Sequence, residues 1–362
     1  MGGRRIALLL PDLGGGGAER VAVTLANGFA RRGLIVELVL MRPQGVLRDL
    51  VHRDVRIVDL KAPRIRQVPT RFAAYLRETK PDGVLAFMWP LTVAAVLARI
   101  IARSPARLVL SDHSTLGRQY PGKRVQQAIR WTVRRFYPHA VARTTVSEGA
   151  TADLASLSGL APDQFEVLSN PLDLPPLPLA RSDEVERQWD GDGRRILSLG
   201  SLKPEKDQAQ LLRAFARMPA GDRLMIVGEG AERWQLESLT KELGIADRVV
   251  MPGFRIDPWP FLASADLFVL SSRFEGLPLV LVEALHAGLR IVSTDCPSGP
   301  REILAGGRYG KLVPVGDANQ LAEAMERALA SVPDRESLRR RARQLASHAT
   351  IDRYLELLLG TA

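Results

Sequence analysis

Short apolar runs alternate with stretches of helical spacing from one end of this chain to the other. Residues 6–10, 36–40, 56–60, 84–87, 108–110, 144–146 and 166–168 read as strands. Between them, residues 18–32, 70–79, 91–103 and 122–137 carry apolar positions at helical spacing. Then the pattern stops. Residues 171–181 read Pro-Leu-Asp-Leu-Pro-Pro-Leu-Pro-Leu-Ala-Arg. Prolines this dense exclude both a helix interior and a central strand.

After the proline segment the alternation restarts. Residues 195–199, 224–227, 249–251, 267–270 and 290–293 read as strands. Helical stretches fall at 208–217, 232–243, 258–263, after Pro278, at 317–330 and over 335–359. Such alternation predicts an α/β chain with parallel sheets covered by helices on both faces. Because it runs twice, the expected architecture is two doubly wound, Rossmann-like domains. Residues 1–170 form the first, 171–181 the linker and 182–340 the second. A C-terminal helix within 341–362 is expected to pack back on the first domain. Sheets of this kind bind ligands beyond the carboxyl ends of their strands, so the domains are expected to face each other across a ligand-holding cleft.

A length of 362 residues is ample for two cores, and no apolar run approaches the ~18 residues of a membrane-spanning helix. The N-terminal apolar stretch covers only residues 6–10 before Pro11-Asp12, which suits a first strand and is too short for a secretory leader. The single cysteine, Cys296, excludes an internal disulfide and fits a reducing compartment; it reads as a small loop residue rather than a catalytic thiol.

The formal charge of +10 is lopsided. Residues 1–175 hold 25 Lys and Arg against 14 Asp and Glu, a net +11, and residues 176–362 hold 25 against 26, a net −1. Between Asp112 and Glu148 there is no acid at all. Lys123, Arg124, Arg130, Arg134 and Arg135 lie there on a helix whose apolar side is read as Val125, Ile129, Thr132, Val133 and Phe136. A solvated basic helix, an anionic lipid surface and nucleic acid all fit such a stretch. The membrane surface is the preferred reading and those five cations are its candidate contacts. No recognisable nucleic-acid module accompanies it, so nucleic acid is not expected as a partner.

Four places carry candidate chemistry. Gly14-Gly15-Gly16-Gly17 follows the first strand and opens a helix, where backbone amides can approach an anion. It lacks the spacing of a dinucleotide fingerprint, since Glu19 stands where a glycine would be needed, and a flexible turn fits equally well. Gly200-Ser201-Leu202-Lys203-Pro204-Glu205-Lys206 opens the second half, with two lysines within reach of a diphosphate or simply solvated. His113 ends a strand at the carboxyl edge, a place suited to hydrogen bonding or proton transfer, or to plain capping. Lastly, Glu275 and Glu283 bracket a helix start, with Pro278 expected at the first helical position and Gly288 as its stop. Amides and the positive end of a helix dipole there favour an anionic ligand, and a phosphorylated sugar would suit the pair of acids.

The phrase from Glu275 to Glu283 matches the E-x7-E motif of the retaining GT-B glycosyltransferases and resembles family GT4 in particular. The resemblance extends over essentially the whole chain. It takes in residues 14–20, His113, Ser147, Asn170-Pro171, residues 200–207, Val227-Gly228-Glu229-Gly230, Pro252-Gly253-Phe254 and residues 295–302. It implies roles for the matching positions. Glu283 would hold the nucleotide ribose. Glu275, with the amides near Gly276, Leu277 and Leu279, would hold the donor sugar. Gly15 and Gly16 would lie against the diphosphate or the acceptor, and Gly253 and Phe254 near the base. Lys206 would neutralise the departing diphosphate, and His113 would contact the sugar near the reacting carbon. Ser201 is a departure, because the family usually places an arginine there on the diphosphate; Lys203 and Arg273 are the cations at hand to replace it.

The activity implied is transfer, with retention, of a hexose or N-acetylhexosamine from a nucleotide-sugar to a lipid-linked saccharide or other glycan acceptor. A UDP-sugar is the favoured donor. This would serve cell-envelope polysaccharide or glycolipid synthesis, by a cytoplasmic enzyme peripheral on the cytosolic face of the membrane. No cofactor or metal is expected. The competing readings are a nucleotide-sugar epimerase of the same fold and a basic non-enzymatic binding protein.

Overall fold

The computed structural model describes residues 3–189, 191–347 and 349–360, which divide into two compact units. Unit 1 comprises Met1–Leu172 and Ser347–Ala362, and unit 2 comprises Asp173–Ala346.

Unit 1 is built on seven strands: β1 (Arg5–Leu10), β2 (Ile35–Leu40), β3 (Val55–Asp59), β4 (Gly83–Phe87), β5 (Arg107–Asp112), β6 (Ala142–Thr145) and β7 (Glu166–Val167). They form one parallel sheet in the order β3-β2-β1-β4-β5-β6-β7. Its helices are α1 (Gly17–Arg31), α2 (Val68–Thr79), α3 (Leu91–Ala102), α4 (Leu116–Gln119), α5 (Lys123–Phe136) and α6 (Glu148–Ser158). The central strands are apolar at successive positions because both faces are covered; Ile6 to Leu10 are all fully buried. Helix α6 was not expected from apolar spacing. What starts it is local: the Ser147 side chain caps it by accepting from the Ala150 amide.

Unit 2 repeats the plan with six parallel strands: β8 (Arg195–Leu199), β9 (Arg223–Val227), β10 (Val249–Gly253), β11 (Leu267–Leu270), β12 (Arg290–Thr294) and β13 (Lys311–Val313). Their order is β10-β9-β8-β11-β12-β13. The helices are α7 (Asp183–Gln188), α8 (Gln208–Phe215), α9 (Arg233–Glu242), α10 (Trp259–Ser264), α11 (Leu279–Ala287), α12 (Pro300–Ile303), α13 (Ala318–Leu329) and α14 (Arg335–Leu345). No helix or strand interrupts residues 171–181.

The helical stretch expected over 335–359 is two helices. Helix α14 packs on α11 in unit 2, and α15 (Ala349–Leu359) belongs to unit 1. Passage to unit 1 therefore begins at Ser347 rather than at residue 341. Helix α15 is fixed there by Ile351, Tyr354 and Leu358 on one buried stripe, by Arg353 paired to Glu166 and by Asp352 paired to Arg32.

Candidate active site

In unit 2 the strand order reverses between β8 and β11, and it is at such a reversal that doubly wound sheets leave room for a ligand. The loops after β8, β9 and β10 are zipped together by backbone. Gly200 donates to Val227 O at 3.0 Å, Leu202 to Glu229 O at 2.9 Å and Gly228 to Gly253 O at 3.0 Å. This approach demands glycine. A Cβ on Gly228, where φ is 155°, would fall 1.9 Å from Gly200 O, and one on Gly230 would fall 2.2 Å from Leu202 O. The zipper brings half-buried Ser201 and Phe254 and buried Gly253 to one edge.

Across the reversal, Glu275 lies in the loop after β11. Its Oε1 accepts from Lys206 Nζ and from Ser272 Oγ, both at 2.6 Å. The two charged side chains are 21% and 10% exposed, so their attraction is only partly screened. Lys206 is positioned by its backbone as well, since its carbonyl accepts from Ser271 Oγ at 2.8 Å. The other basic residues near this edge differ. Arg273 is committed to buried Asp207 at 2.8 Å, which with the attendant charge raises the arginine above its ordinary pKa, and Lys203 is exposed. Neither is shown taking the place of the arginine missing at Ser201; Lys206 is the cation fixed beside Glu275.

Helix α11 begins at Leu279. Pro278 is its N-cap, with ψ of 104°, and not its first helical residue as expected: the chain is still extended at the proline. No side chain caps this helix start. Gly276 is held by its carbonyl, which accepts from Ser298 Oγ at 2.8 Å. Glu283 lies fully buried in the second turn, and Gly288, at φ 75°, ends the helix. Cys296 is also buried here, and burial, helped by the charge of Glu275, pushes its thiol up to about 12. The raised pKa keeps it a thiol rather than a thiolate at neutral pH.

Unit 1 reverses between β1 and β4. The glycine loop follows β1: Gly15 takes φ of 95°, and Gly16 is the N-cap of α1 with no side chain to cap it. His113 follows β5 directly. Its ring stacks on Phe87 at 5.3 Å, and its Nε2 lies 2.9 Å from Ser111 Oγ. Burial lowers its pKa to about 4, a side-chain hydrogen bond with Asn170 offsetting part of the effect, so the imidazole is neutral at pH 7. The preceding residue, Asp112, was missed by sequence reasoning. It accepts from Tyr137 OH at 2.8 Å and from the Trp89 amide at 3.3 Å, and burial raises it to about 6 against these two bonds. The run Ser111-Asp112-His113 at a strand end was its only signal.

Helix α5 keeps Lys123, Arg124, Arg130, Arg134 and Arg135 exposed, while Ile129 and Val133 enter the core. Val125, expected on the apolar side, is 38% exposed, and Trp131 is 64% exposed beside the cations. The reason is length: only the C-terminal half of the helix lies on the core. Thr132 accepts from Trp89 Nε1 at 3.0 Å, which ties α5 to the loop after β4. Among the described residues no helix is long and apolar enough to cross a membrane, and no three His, Cys, Asp or Glu side chains form a metal-binding group.

Residues 15–175 match the family model described as Glycosyltransferase Family 4, and residues 181–345 match Glycosyl transferases group 1. The chain is 30% identical over 317 residues to the lipopolysaccharide core biosynthesis glycosyltransferase LpsD of Rhizobium meliloti, covering 86% of this chain and 84% of that protein. It is 26% identical over 336 residues to the N-acetylgalactosamine-N,N'-diacetylbacillosaminyl-diphospho-undecaprenol 4-alpha-N-acetylgalactosaminyltransferase of Campylobacter jejuni, covering 90% of each. Among solved structures, Anabaena HepE in complex with UDP-glucose superimposes with a TM-score of 0.82 at 20% identity, over 97% of this chain and 98% of that one. The chain belongs to the GT4-type glycosyltransferases and has their GT-B fold; it is a transferase enzyme.

Proposed function

We propose that the enzyme moves a hexose or N-acetylhexosamine from a UDP-sugar to a lipid-linked saccharide or related glycan acceptor, with retention, in envelope polysaccharide or glycolipid synthesis. The observation that carries this reading is the Lys206–Glu275 pair, fixed at 2.6 Å at the strand-order reversal of unit 2. Beside it lie an uncapped helix start and the glycine zipper. A cation held by its own backbone costs little reorganisation when charge develops on a leaving diphosphate.

In this reading Glu275, with the backbone of Gly276, Leu277 and Leu279, orients the donor sugar. Glu283 holds the ribose, Gly253 and Phe254 flank the base, Ser201 lies by the diphosphate, and Gly15 and Gly16 receive the diphosphate or acceptor. The bond from the anomeric carbon to the diphosphate oxygen breaks as the acceptor oxygen attacks from the same face. The acceptor's proton passes to the departing diphosphate. Neutral His113 contributes a hydrogen bond rather than a proton. The relatives named for undecaprenol-linked and lipopolysaccharide core sugars support a lipid-linked acceptor. In this reading the work is done at the cytosolic membrane face. No resident metal is assigned a role, so activity is expected to survive EDTA.

The test is a thermal-shift screen of UDP- and GDP-sugars followed by transfer to undecaprenol-linked acceptors, reading the anomeric coupling of the product by NMR. A UDP-sugar raises the melting temperature and gives an α-product from an α-donor. An inverted product removes the mechanism, and a new sugar formed from the donor alone points to an epimerase.

A further inference from the structure

Helix α15 enters unit 1 with one polar group in an otherwise apolar buried stripe. Ile351, Tyr354 and Leu358 are at most 1% exposed, so the tyrosine hydroxyl must find partners or lose its hydration uncompensated. It finds two. Tyr354 OH lies 3.0 Å from Ser111 Oγ and 3.1 Å from Thr144 Oγ1. Ser111 Oγ is in turn 2.9 Å from His113 Nε2, and Thr144 Oγ1 is 3.3 Å from Leu110 O, to which it donates. The result is a single file of groups from a backbone carbonyl to the imidazole, crossing from β6 through α15 to the end of β5.

Such a file has a direction. Leu110 O can only accept, and each hydroxyl has one hydrogen to give. Thr144 donates to Leu110 O, so it accepts from Tyr354. Tyr354 then accepts from Ser111, and Ser111 from His113. That leaves Nε2 as the protonated ring nitrogen and places the lone pair on Nδ1. Nδ1 is buried without a hydrogen-bond partner among the described residues, a setting that suits a bare lone pair better than an orphaned N–H.

We propose that Tyr354 is a positioning residue for His113: acting through Ser111, it fixes the imidazole as the Nε2–H tautomer in one orientation. The C-terminal helix is thereby part of the site in unit 1, although Tyr354 is 243 residues beyond Ser111 in sequence. The consequence for catalysis rests on the reading that His113 contacts the donor sugar.

The experiment uses the full chain labelled with 15N-histidine, with the His113 resonances assigned by loss in His113→Asn. At pH 7 the wild type shows Nε2 protonated and Nδ1 bare. Tyr354→Phe keeps the ring in the core and removes the hydroxyl. It is expected to mix the two tautomers and to lower kcat about tenfold while donor KM stays within about twofold. Ser111→Ala, which breaks the same file with a smaller change, is expected to do the same and stands in if the tyrosine variant folds poorly. An unchanged His113 15N pattern in the folded variants overturns the proposal, as does a wild type protonated on Nδ1. Full activity in His113→Asn would remove the assigned role of His113, while the 15N pattern still decides whether Tyr354 sets the tautomer.

Discussion

The two units share a topology, and each places candidate residues at its strand-order reversal, but the reversals are furnished differently. In unit 2 the furniture is charge: Lys206 on Glu275 and Arg273 on Asp207, set among loops zipped by backbone. Unit 1 keeps an ion pair after β1, Arg42 on Asp12, while the end of β5 is furnished with buried groups linked by hydroxyls. The histidine there is held uncharged, and the aspartate is pushed up to about 6. Two copies of one topology thus carry different side chains, ion pairs in unit 2 and a neutral histidine in a hydroxyl network in unit 1. The difference is open to attack one residue at a time.

The largest effect is expected at Glu275. Replacing it with alanine removes the carboxylate proposed to orient the sugar and frees Lys206, and is expected to lower kcat/KM about a thousandfold with native circular dichroism. A folded variant with near-normal turnover would sink the role proposed for Glu275 and its lysine in unit 2. Glutamine at the same position, keeping shape without charge, separates hydrogen bonding from ion pairing.

Next in size is a contrast between glycines. In unit 2, Gly228→Ala drives a methyl into Gly200 O and is expected to cost about 3 kcal/mol of stability in denaturant titration. In unit 1, a Cβ on Gly17 meets nothing within 4 Å, and one on Gly16 meets only the flexible carboxylate of Glu19. Alanine at 17 should therefore leave stability unchanged or slightly higher. If it also weakens donor or acceptor KM several-fold, those glycines serve a ligand and not the fold. Loss of stability in Gly17→Ala would erase the contrast.

Much of this was legible in the sequence, and the failures have causes. The strand runs were readable because parallel strands buried on both faces are apolar throughout, as at residues 6–10. The glutamate pair was readable because proline, a buried helix and Gly288 frame it. Helix α6 escapes because it rests on a cap rather than on an apolar stripe, and the break after Leu345 escapes because both flanking helices carry helical spacing. Val125 shares the face of Ile129 and Val133 yet is exposed, because helical spacing tells which face is apolar but not how much of the helix has a core beneath it. Asp112 and the Ser111–Tyr354 link were invisible for another reason: their meaning depends on partners far away in sequence.

His113 gives a pH signature for unit 1. Unfolded, it takes up a proton near 6.5; folded, near 4. The unfolded chain binds more protons between these values, so stability is full above 6.5 and falls as pH drops toward 4, by up to about 3 kcal/mol. Asp112 works the other way. Its raised pKa adds stability as pH falls from about 6 toward 3.8, so the wild-type curve shows the difference of the two. His113→Gln removes only the first, and its denaturant-derived stability minus that of the wild type should rise steadily from pH 6.5 to pH 4. A flat difference would mean the histidine is not held neutral by the fold.

The smallest effect expected is at α5, and it asks whether the His113 site in unit 1 sits behind a charged approach. Lys123, Arg124, Arg130, Arg134 and Arg135 are exposed, as is Trp131, and Trp89 ties the helix to the loop after β4. A cation near an anionic lipid surface contributes about 1 kcal/mol. Arg130→Glu together with Arg134→Glu should therefore reduce sedimentation with phosphatidylglycerol vesicles by roughly tenfold or more at low salt. The same pair should leave transfer to a detergent-soluble acceptor unchanged, since neither arginine is assigned to the chemistry. Wild-type binding that ignores salt, or equals binding to phosphatidylcholine, would mean that the basic face does not read lipid charge. The asymmetry between the units would then lie in their reversals alone.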